Sequence, residues 1–542
     1  MDKAWLKQYD SFVPPHLTYP RETLYHLFAR TARANHDQVA TIFMGIEHTY
    51  GTLLDLADRL AGALDRAGLR SGDKVVLALP SSPQFVIAYY ALHKLGAVVV
   101  MLNPLSTPRE IDFKCRNSEA RGLIALDMFY DQFMAAARKA ELKLVVFTGI
   151  FDLHPSQNPK AKYPDPEAID FLALLDSASA PVEPVNPGQD DLAVIIYTGG
   201  TTGEPKGTML SHRNIITNAW AIGAWYGIST RDRGLAVLPF FHGFGMQVML
   251  NTFLLNGGSL VIMPTFDVEN LFKLVSQYRP TTMVGVPTMY VAINNYENRT
   301  QYDLSSIRIA VSGGAPLPLA VKKAFEKLTG GILLEGYGLT ESTCAVCCNP
   351  YQGANKEGYI GLPMPDVDMK IVDMDTGTMD LAPGEAGEML VRSPTVMLGY
   401  YNNPEATRET IRNGWLYTGD IAVMDEQGYF RIVDRKKEMI IAGGFNIYPK
   451  EVENILSNHP AVMEVAVIGV PDAYRGETVK ACLVTRPGAA VTEEELAAFC
   501  RANMIKYMVP KIFEFREELP KSPIGKILKK TLKEEELKSK GD

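Results

Sequence analysis

The densest chemical signal in the chain is the run Tyr197-Thr198-Gly199-Gly200-Thr201-Thr202-Gly203-Glu204-Pro205-Lys206-Gly207, directly after the apolar stretch Leu192 to Ile196. Glycines let backbone N–H groups approach an anion closely, the threonine hydroxyls add donors, and Lys206 adds a positive charge. Such a loop can cradle phosphates. It lacks the GxxxxGK[ST] spacing of a Walker A loop. Two carboxylates in short glycine-bearing motifs add to it. Glu341 offers the hard oxygen that Mg²⁺ prefers to share with phosphate and water, and Asp420 can accept two hydrogen bonds from vicinal hydroxyls. Taken singly, Glu341 also suits a helix N-terminus, Asp420 a turn, and Tyr337 plain core packing. The cluster Cys344-Ala345-Val346-Cys347-Cys348 has no second cysteine cluster to complete a zinc site and is read as buried structural thiols. Neither a GxSxG elbow nor an HExxH motif occurs, so hydrolase readings lack a motif.

With these residues in view, the chain resembles the AMP-forming adenylating enzymes (acyl-CoA synthetases, luciferases and peptide-synthetase adenylation domains). Within them it stands nearest the bacterial fatty-acyl-CoA synthetases. The signatures run in the family's order from about residue 40 to residue 531. Resemblance makes Thr198, Gly199, Gly200, Thr201, Thr202, Gly203 and Lys206 the phosphate loop. Gly313, Gly314, Ala315, Pro316 and Leu317 resemble the adenine-side loop. The run Glu335-Gly336-Tyr337-Gly338-Leu339-Thr340-Glu341-Ser342 resembles the central motif, in which Tyr337 stacks on adenine and Thr340 contacts phosphate. Glu341, with Thr198, holds Mg²⁺ there. Trp415-Leu416-Tyr417-Thr418-Gly419-Asp420 resembles the segment that grips the ribose hydroxyls, and Ile432 and Arg435 fall beside the same nucleotide.

Late in the chain, Leu519 to Leu528 resembles the family's C-terminal loop and makes Lys526 the catalytic lysine of adenylation. A cation bridging a carboxylate and an α-phosphate at about 4 Å is worth roughly 4 kcal/mol at an effective dielectric of 20, on the order of a thousandfold in rate. Gly443, Gly444 and Phe445 resemble the border of a pantetheine tunnel, and Lys437 stands where relatives place a hinge. Leu238 to Met246 resembles the gate segment, with His242 near the reacting carboxylate. Read alone, a histidine on an apolar stretch such as His242 is more often a satisfied core residue. Trp225, Met246, Met249, Val286, Pro287 and Gly313 would surround an aliphatic chain, as Met-bearing apolar surfaces suit. Some long-chain synthetases carry a gate tryptophan where this chain has Met246, which leaves acyl length open.

The elements that must hold these residues alternate between strand and helix. Lys74 to Leu79 and Ala97 to Leu102 read as strands; between them Ser82-Pro83 opens a helix and Gly96 stops it. Thr107 with Glu110 forms a capping-box pattern, Leu123 to Leu126 a further strand. The fold class is therefore α/β with mostly parallel sheets. Pro155 to Pro187 is expected to be a surface excursion, and Tyr359 to Phe430 a small β-rich subdomain. The charge run Asp434-Arg435-Lys436-Lys437-Glu438 marks the expected boundary between an N-terminal domain, residues 1–434, and a mobile α+β domain, residues 435–542.

A length of 542 residues demands at least two folding units. A net charge of −8 argues against nucleic-acid partners. No basic-then-apolar leader is visible. Phe85 to Leu102, the most apolar stretch, is broken by His93, Lys94 and Gly96, and reads as buried helix plus strand. The cytoplasm is expected, with peripheral membrane contact and the choice of monomer or homodimer left open. The resemblance implies ATP, Mg²⁺, coenzyme A and a carboxylic acid, with a fatty acid expected, joined through an acyl-adenylate. Its rivals are an acyl-AMP ligase that loads a carrier protein, an aryl or alicyclic acid–CoA ligase, and a catalytically silent nucleotide-binding scaffold.

Overall fold

The computed structural model describes residues 3–155, 163–177, 182–198, 205–442, 445–472, 474–521 and 527–539. They fall into two compact units, one of Met1–Asp368 with Val391–Leu416, the other of Met369–Leu390 with Tyr417–Asp542.

Among the described residues the first unit holds an eight-stranded and a nine-stranded sheet. In the eight-stranded sheet Leu192–Thr198, Val98–Met101, Lys74–Ala78, Gly122–Leu126, Leu144–Thr148 and Ala168–Asp170 lie parallel, side by side in that order. Lys206–Ser211 returns antiparallel beside Leu192–Thr198, and Gly399–Tyr400 adds an antiparallel edge. The nine-stranded sheet has a parallel core that includes Arg233–Ala236, Thr282–Gly285, Ile309–Ser312 and Ile332–Gly338. Parallel neighbours need crossovers, and helices supply them.

Local chemistry sets the helix ends. Ser82 accepts the Phe85 N–H at 3.3 Å, Pro83 occupies the first turn, and Gly96 takes φ +67° just past the end. Every residue of that helix, Pro83–Lys94, is buried, which accounts for its nearly unbroken apolar face. Each large side chain in it, such as Phe85, Ile87 or Leu92, contributes roughly 1.5–3 kcal/mol by leaving water. Lys94, 3% exposed, is paired with Asp58 at 2.9 Å. Both arms of the Thr107–Glu110 and Thr492–Glu495 capping boxes are present. Among the described residues no helix is long and apolar enough to cross a membrane.

Two expected regions are built differently from their sequence texture. Within Pro155 to Pro187, Ala168–Asp170 joins the eight-stranded sheet as its edge, and Asp170 caps the helix Phe171–Asp176. The apolar residues Phe171, Leu174 and Leu175 are buried rather than carried on the surface. Within Tyr359 to Phe430, Leu362–Pro363 and Gly399–Tyr400 leave the local β-rich sheet to complete the two large ones.

The second unit contains most of a five-stranded sheet in which Trp415–Met424 pairs antiparallel with Phe430–Arg435. A further five-stranded sheet follows, centred on the hairpin of Val462–Asp472 and Gly476–Thr485. Strand alternation gives it two cores. Val465 and Val467 pack with Val452, Leu456 and Leu496, whereas Ala466 and Ile468 pack with Leu519 and Leu532.

Candidate active site

In the first unit the motifs sit at the carboxyl ends of parallel strands, the place where open α/β sheets bind ligands. Arg233–Ala236 leads into the gate segment, Thr282–Gly285 into Val286 and Pro287, Ile309–Ser312 into the Gly313 loop, and Ile332–Gly338 carries Glu335, Gly336 and Tyr337. These loops meet. A Cβ added to Gly313 would lie 3.1 Å from the Phe244 ring and 3.5 Å from the Gly336 carbonyl oxygen. One added at Gly314 would touch Val286 Cγ1 at 3.8 Å, and one at Gly243 would meet Ile196 Cδ1 at 3.8 Å. Ala315 is half-buried and Pro316 exposed; the next residue, Leu317, donates its N–H to Glu335 Oε1 at 3.4 Å.

His242 is held by its own turn. Its Nδ1 accepts the Phe244 N–H at 3.2 Å, which puts the proton of the neutral ring on Nε2. Met246 and Met249 follow on a buried π-helical turn, Gly245–Asn251, whose Gln247 and Asn251 side chains bond to each other at 3.0 Å. Trp225 is 1% exposed, donates to the Asn349 carbonyl at 3.1 Å and meets Tyr9 edge-on. Val286 and Pro287 are buried.

Tyr337 stands opposite Cys347, and Gly336 opposite Cys348, in an antiparallel return strand, Ala345–Cys348. The cysteines thus back the central motif as core; burial pushes the Cys348 thiol up to about 12. Gly338 has no substitute here, because a Cβ would lie 1.5 Å from the Cys344 carbonyl oxygen. Thr340 and Glu341 follow on a single 3₁₀ turn. The next residue but one, Thr343, is β-branched and buried yet takes φ +69°, a strained conformation held by its hydroxyl donating to Thr395 O at 2.7 Å.

Two residues of this unit escape motif reading. Thr343 is one, and Tyr400 is the other. The Tyr400 hydroxyl donates to Glu341 Oε1 at 2.8 Å, and Lys206 Nζ lies 5.1 Å from the centre of its ring. The phosphate-loop lysine and the central-motif carboxylate therefore share a neighbour that neither motif contains. Thr198, paired with Lys206 across the hairpin, is half-buried. Gly199, Gly200, Thr201, Thr202 and Gly203 lie outside the described residues, as do Gly443, Gly444 and Lys526.

Glu341 fits a magnesium ion bound with nucleotide. Among the described residues no group of three or more His, Cys, Asp and Glu side chains could hold a metal, so phosphate and water oxygens would complete the shell. Tyr400 engages only one of the two carboxylate oxygens.

In the second unit Asp420 and Arg435 are direct cross-strand partners, with Arg435 Nε 3.1 Å from Asp420 Oδ1. Asp420 is 4% exposed at its side chain and Arg435 34%. Ile432 lies opposite Ala422 in the same pair, half-buried. Next to Arg435, Asp434 is buried and accepts the N–H groups of Arg435 and Lys450 at 2.6 and 2.8 Å. Burial raises its pKa, despite those two donors. Lys529 pairs with Glu453 at 2.7 Å and with Glu438 at 3.2 Å. The charge run around exposed Lys437 is thus partly internal rather than a solvated turn. Phe445 begins the short strand Phe445–Ile447.

This arrangement, phosphate-loop lysine and lone carboxylate in one unit and an Asp–Arg pair with its carboxylate buried in the other, agrees with what the chain is similar to. The family described as AMP-binding enzyme matches residues 28–401, and that described as AMP-binding enzyme C-terminal domain matches residues 451–526. A long-chain-fatty-acid–CoA ligase of Bacillus subtilis (strain 168) is 40% identical over 551 residues, covering 98% of both chains. ATP-bound MatB from Rhodopseudomonas palustris superposes with a TM-score of 0.86 at 32% identity, covering 94% of this chain and 98% of that one. An anthranilate CoA ligase, AuaEII, in complex with anthranoyl-AMP gives 0.87 at 28% identity, over 98% and 99% of the two chains. Sequence order, strand-end geometry and full-length kinship lead to one conclusion: this chain is a member of the AMP-binding enzyme family.

Proposed function

We propose that this enzyme activates a long-chain fatty acid, using ATP to form an acyl-adenylate and pyrophosphate and then CoA to give acyl-CoA and AMP. It is an acid–thiol ligase of the EC 6.2.1 type, with ATP and CoA as co-substrates. The observation that carries the fatty-acid reading is the 40% identity, along the whole length, to a ligase named for that acid. The buried Met246, Met249 and Val286 behind the gate agree with an aliphatic chain.

Lys206 and the hydroxyls of Thr198 and Thr340 bind phosphate oxygens. Tyr337 packs on the adenine beside the Gly314–Pro316 loop. Asp420 accepts the ribose hydroxyls while Arg435 holds that carboxylate in place. Glu341 with Thr198 would hold magnesium, which would neutralise charge on the triphosphate. His242, with its proton on Nε2, orients the acid carboxylate. Lys526 bridges that carboxylate and the α-phosphate, so catalysis is chiefly positioning and electrostatics. The segment 435–542 then re-orients about Lys437, and Gly443, Gly444 and Phe445 border the path of the CoA thiol to the adenylate. All six cysteines are free thiols, which fits a reducing cytoplasm.

A panel of carboxylic acids of graded length and ring content, scored by acid-dependent pyrophosphate release with and without CoA, tests the reading. Long linear acids should give the highest kcat/KM. Preference for aryl or alicyclic acids would reject the fatty-acid assignment. Acyl-adenylate that persists despite CoA would instead favour transfer to a carrier protein.

A further inference from the structure

Tyr400 belongs to a strap, residues 393–401, that reaches the site from late in the first unit. Leu398 N–H donates to Met209 O at 2.9 Å and Tyr401 N–H to Gly207 O at 2.7 Å, which fastens the strap along the strand that starts at Lys206. Met397 N–H donates to the Glu341 backbone oxygen at 2.9 Å, which fastens it to the central motif as well. Tyr400 is pinned between these clips. Its N–H donates to Thr407 Oγ1 at 2.8 Å, and the residue is 6% exposed.

An ammonium and a carboxylate on adjacent motifs, left to themselves, tend to close into a salt bridge that an incoming nucleotide must break. Here a single aromatic residue gives each charge a different partner. The O–H serves the carboxylate of Glu341, and the ring serves the ammonium of Lys206. Among the described residues no ion pair joins Lys206 to Glu341.

We propose that Tyr400 is a positioning residue for the nucleotide–metal site: its hydroxyl aims Glu341 at the ion and its ring holds Lys206 ready for phosphate. The proposal rests on the ATP and magnesium reading above.

The test uses the full-length protein and two equilibrium readouts besides turnover. Mn²⁺ binding in the presence of α,β-methylene-ATP is followed by the loss of the free-ion electron paramagnetic resonance signal. Binding of the same analogue in EDTA is followed by calorimetry. Tyr400→Phe keeps the ring and removes the hydroxyl, so Mn²⁺ should bind about tenfold more weakly while metal-free nucleotide affinity stays within about twofold. Tyr400→Leu removes both partners and should also weaken metal-free nucleotide binding by about five- to tenfold. Glu341→Gln is measured alongside. If it loses the ion and Tyr400→Phe does not, or binds it more tightly, the Tyr400 role is overturned and the Glu341 assignment stands. Should Glu341→Gln bind Mn²⁺ like the parent, the metal assignment itself fails, and the Tyr400 role with it. A failure of Tyr400→Leu to fold leaves the decision to Tyr400→Phe.

Discussion

Asp420 and Arg435 form a charge pair whose two members arrive from neighbouring strands at matched register, with the carboxylate almost entirely out of water. Asp420→Asn keeps the shape and removes the charge; the KM for ATP should rise about tenfold, near 1.4 kcal/mol, in a pyrophosphate-release assay. At the other chemical step, Lys526→Ala should slow adenylation on the order of a thousandfold while sparing thioester formation from supplied acyl-AMP. Equal loss in both half-reactions would remove Lys526 from its assigned role. Lys206, Glu341 and Asp420 stand out in the sequence because each sits in a short glycine-bearing motif, although Glu341 alone also suits a helix N-terminus and Asp420 a turn. Tyr400 and Thr343 are not. Their roles come from pairing between segments far apart in the chain, and a Gly-Tyr-Tyr run reads as ordinary strand until its partner strand is known.

Helix ends are the most legible elements, because a cap is decided by residues three apart. Ser82 and Thr107 both cap where their spacing predicts, and Thr492 forms the same kind of box with Glu495. Strand destinations are not local. Leu362–Pro363 and Ala168–Asp170 both complete large sheets that their own neighbourhoods give no reason to expect. The π-helical turn at the gate is likewise hidden in sequence, and its Gln247 side chain donates to the Ile215 carbonyl oxygen of a separate helix. At this scale Gly338→Ala is the sharpest probe, because the added methyl would collide with the Cys344 carbonyl and force the return strand away from Tyr337. A loss on the order of 2–4 kcal/mol is expected, read from the urea midpoint, together with weakened AMP binding. Wild-type stability in that variant would contradict the close approach.

Across the first unit, helices Leu24–Ala34, Pro83–Lys94 and His212–Tyr226 meet around two buried imidazoles, His93 and His212, with ring centroids 5.4 Å apart. Tyr89 packs edge-on against His93, and Asp191 and His26 act on His212 with opposite sign. Burial lowers both pKa values, that of His212 to about 4. Between that value and the ordinary 6.5 the unfolded chain binds more protons than the folded one, so stability is full above about pH 6.5 and falls on acidification towards pH 4. Urea midpoints measured from pH 7 down to pH 5 should drop by an amount that His93→Gln reduces; a flat profile would rule this out. The sequence placed His93 inside a buried helix but could not show a second imidazole facing it from more than a hundred residues away. The strap at residues 393–401 carries a consequence for biosynthesis. The ribosome delivers the glycine–threonine loop first, then the Glu341 turn, and the segment that clips them together only much later. A nascent chain therefore holds Lys206 unfastened while residues 207–399 are added, and a product released before residue 400 would be left with the motifs of a ligase and no means of keeping them apart.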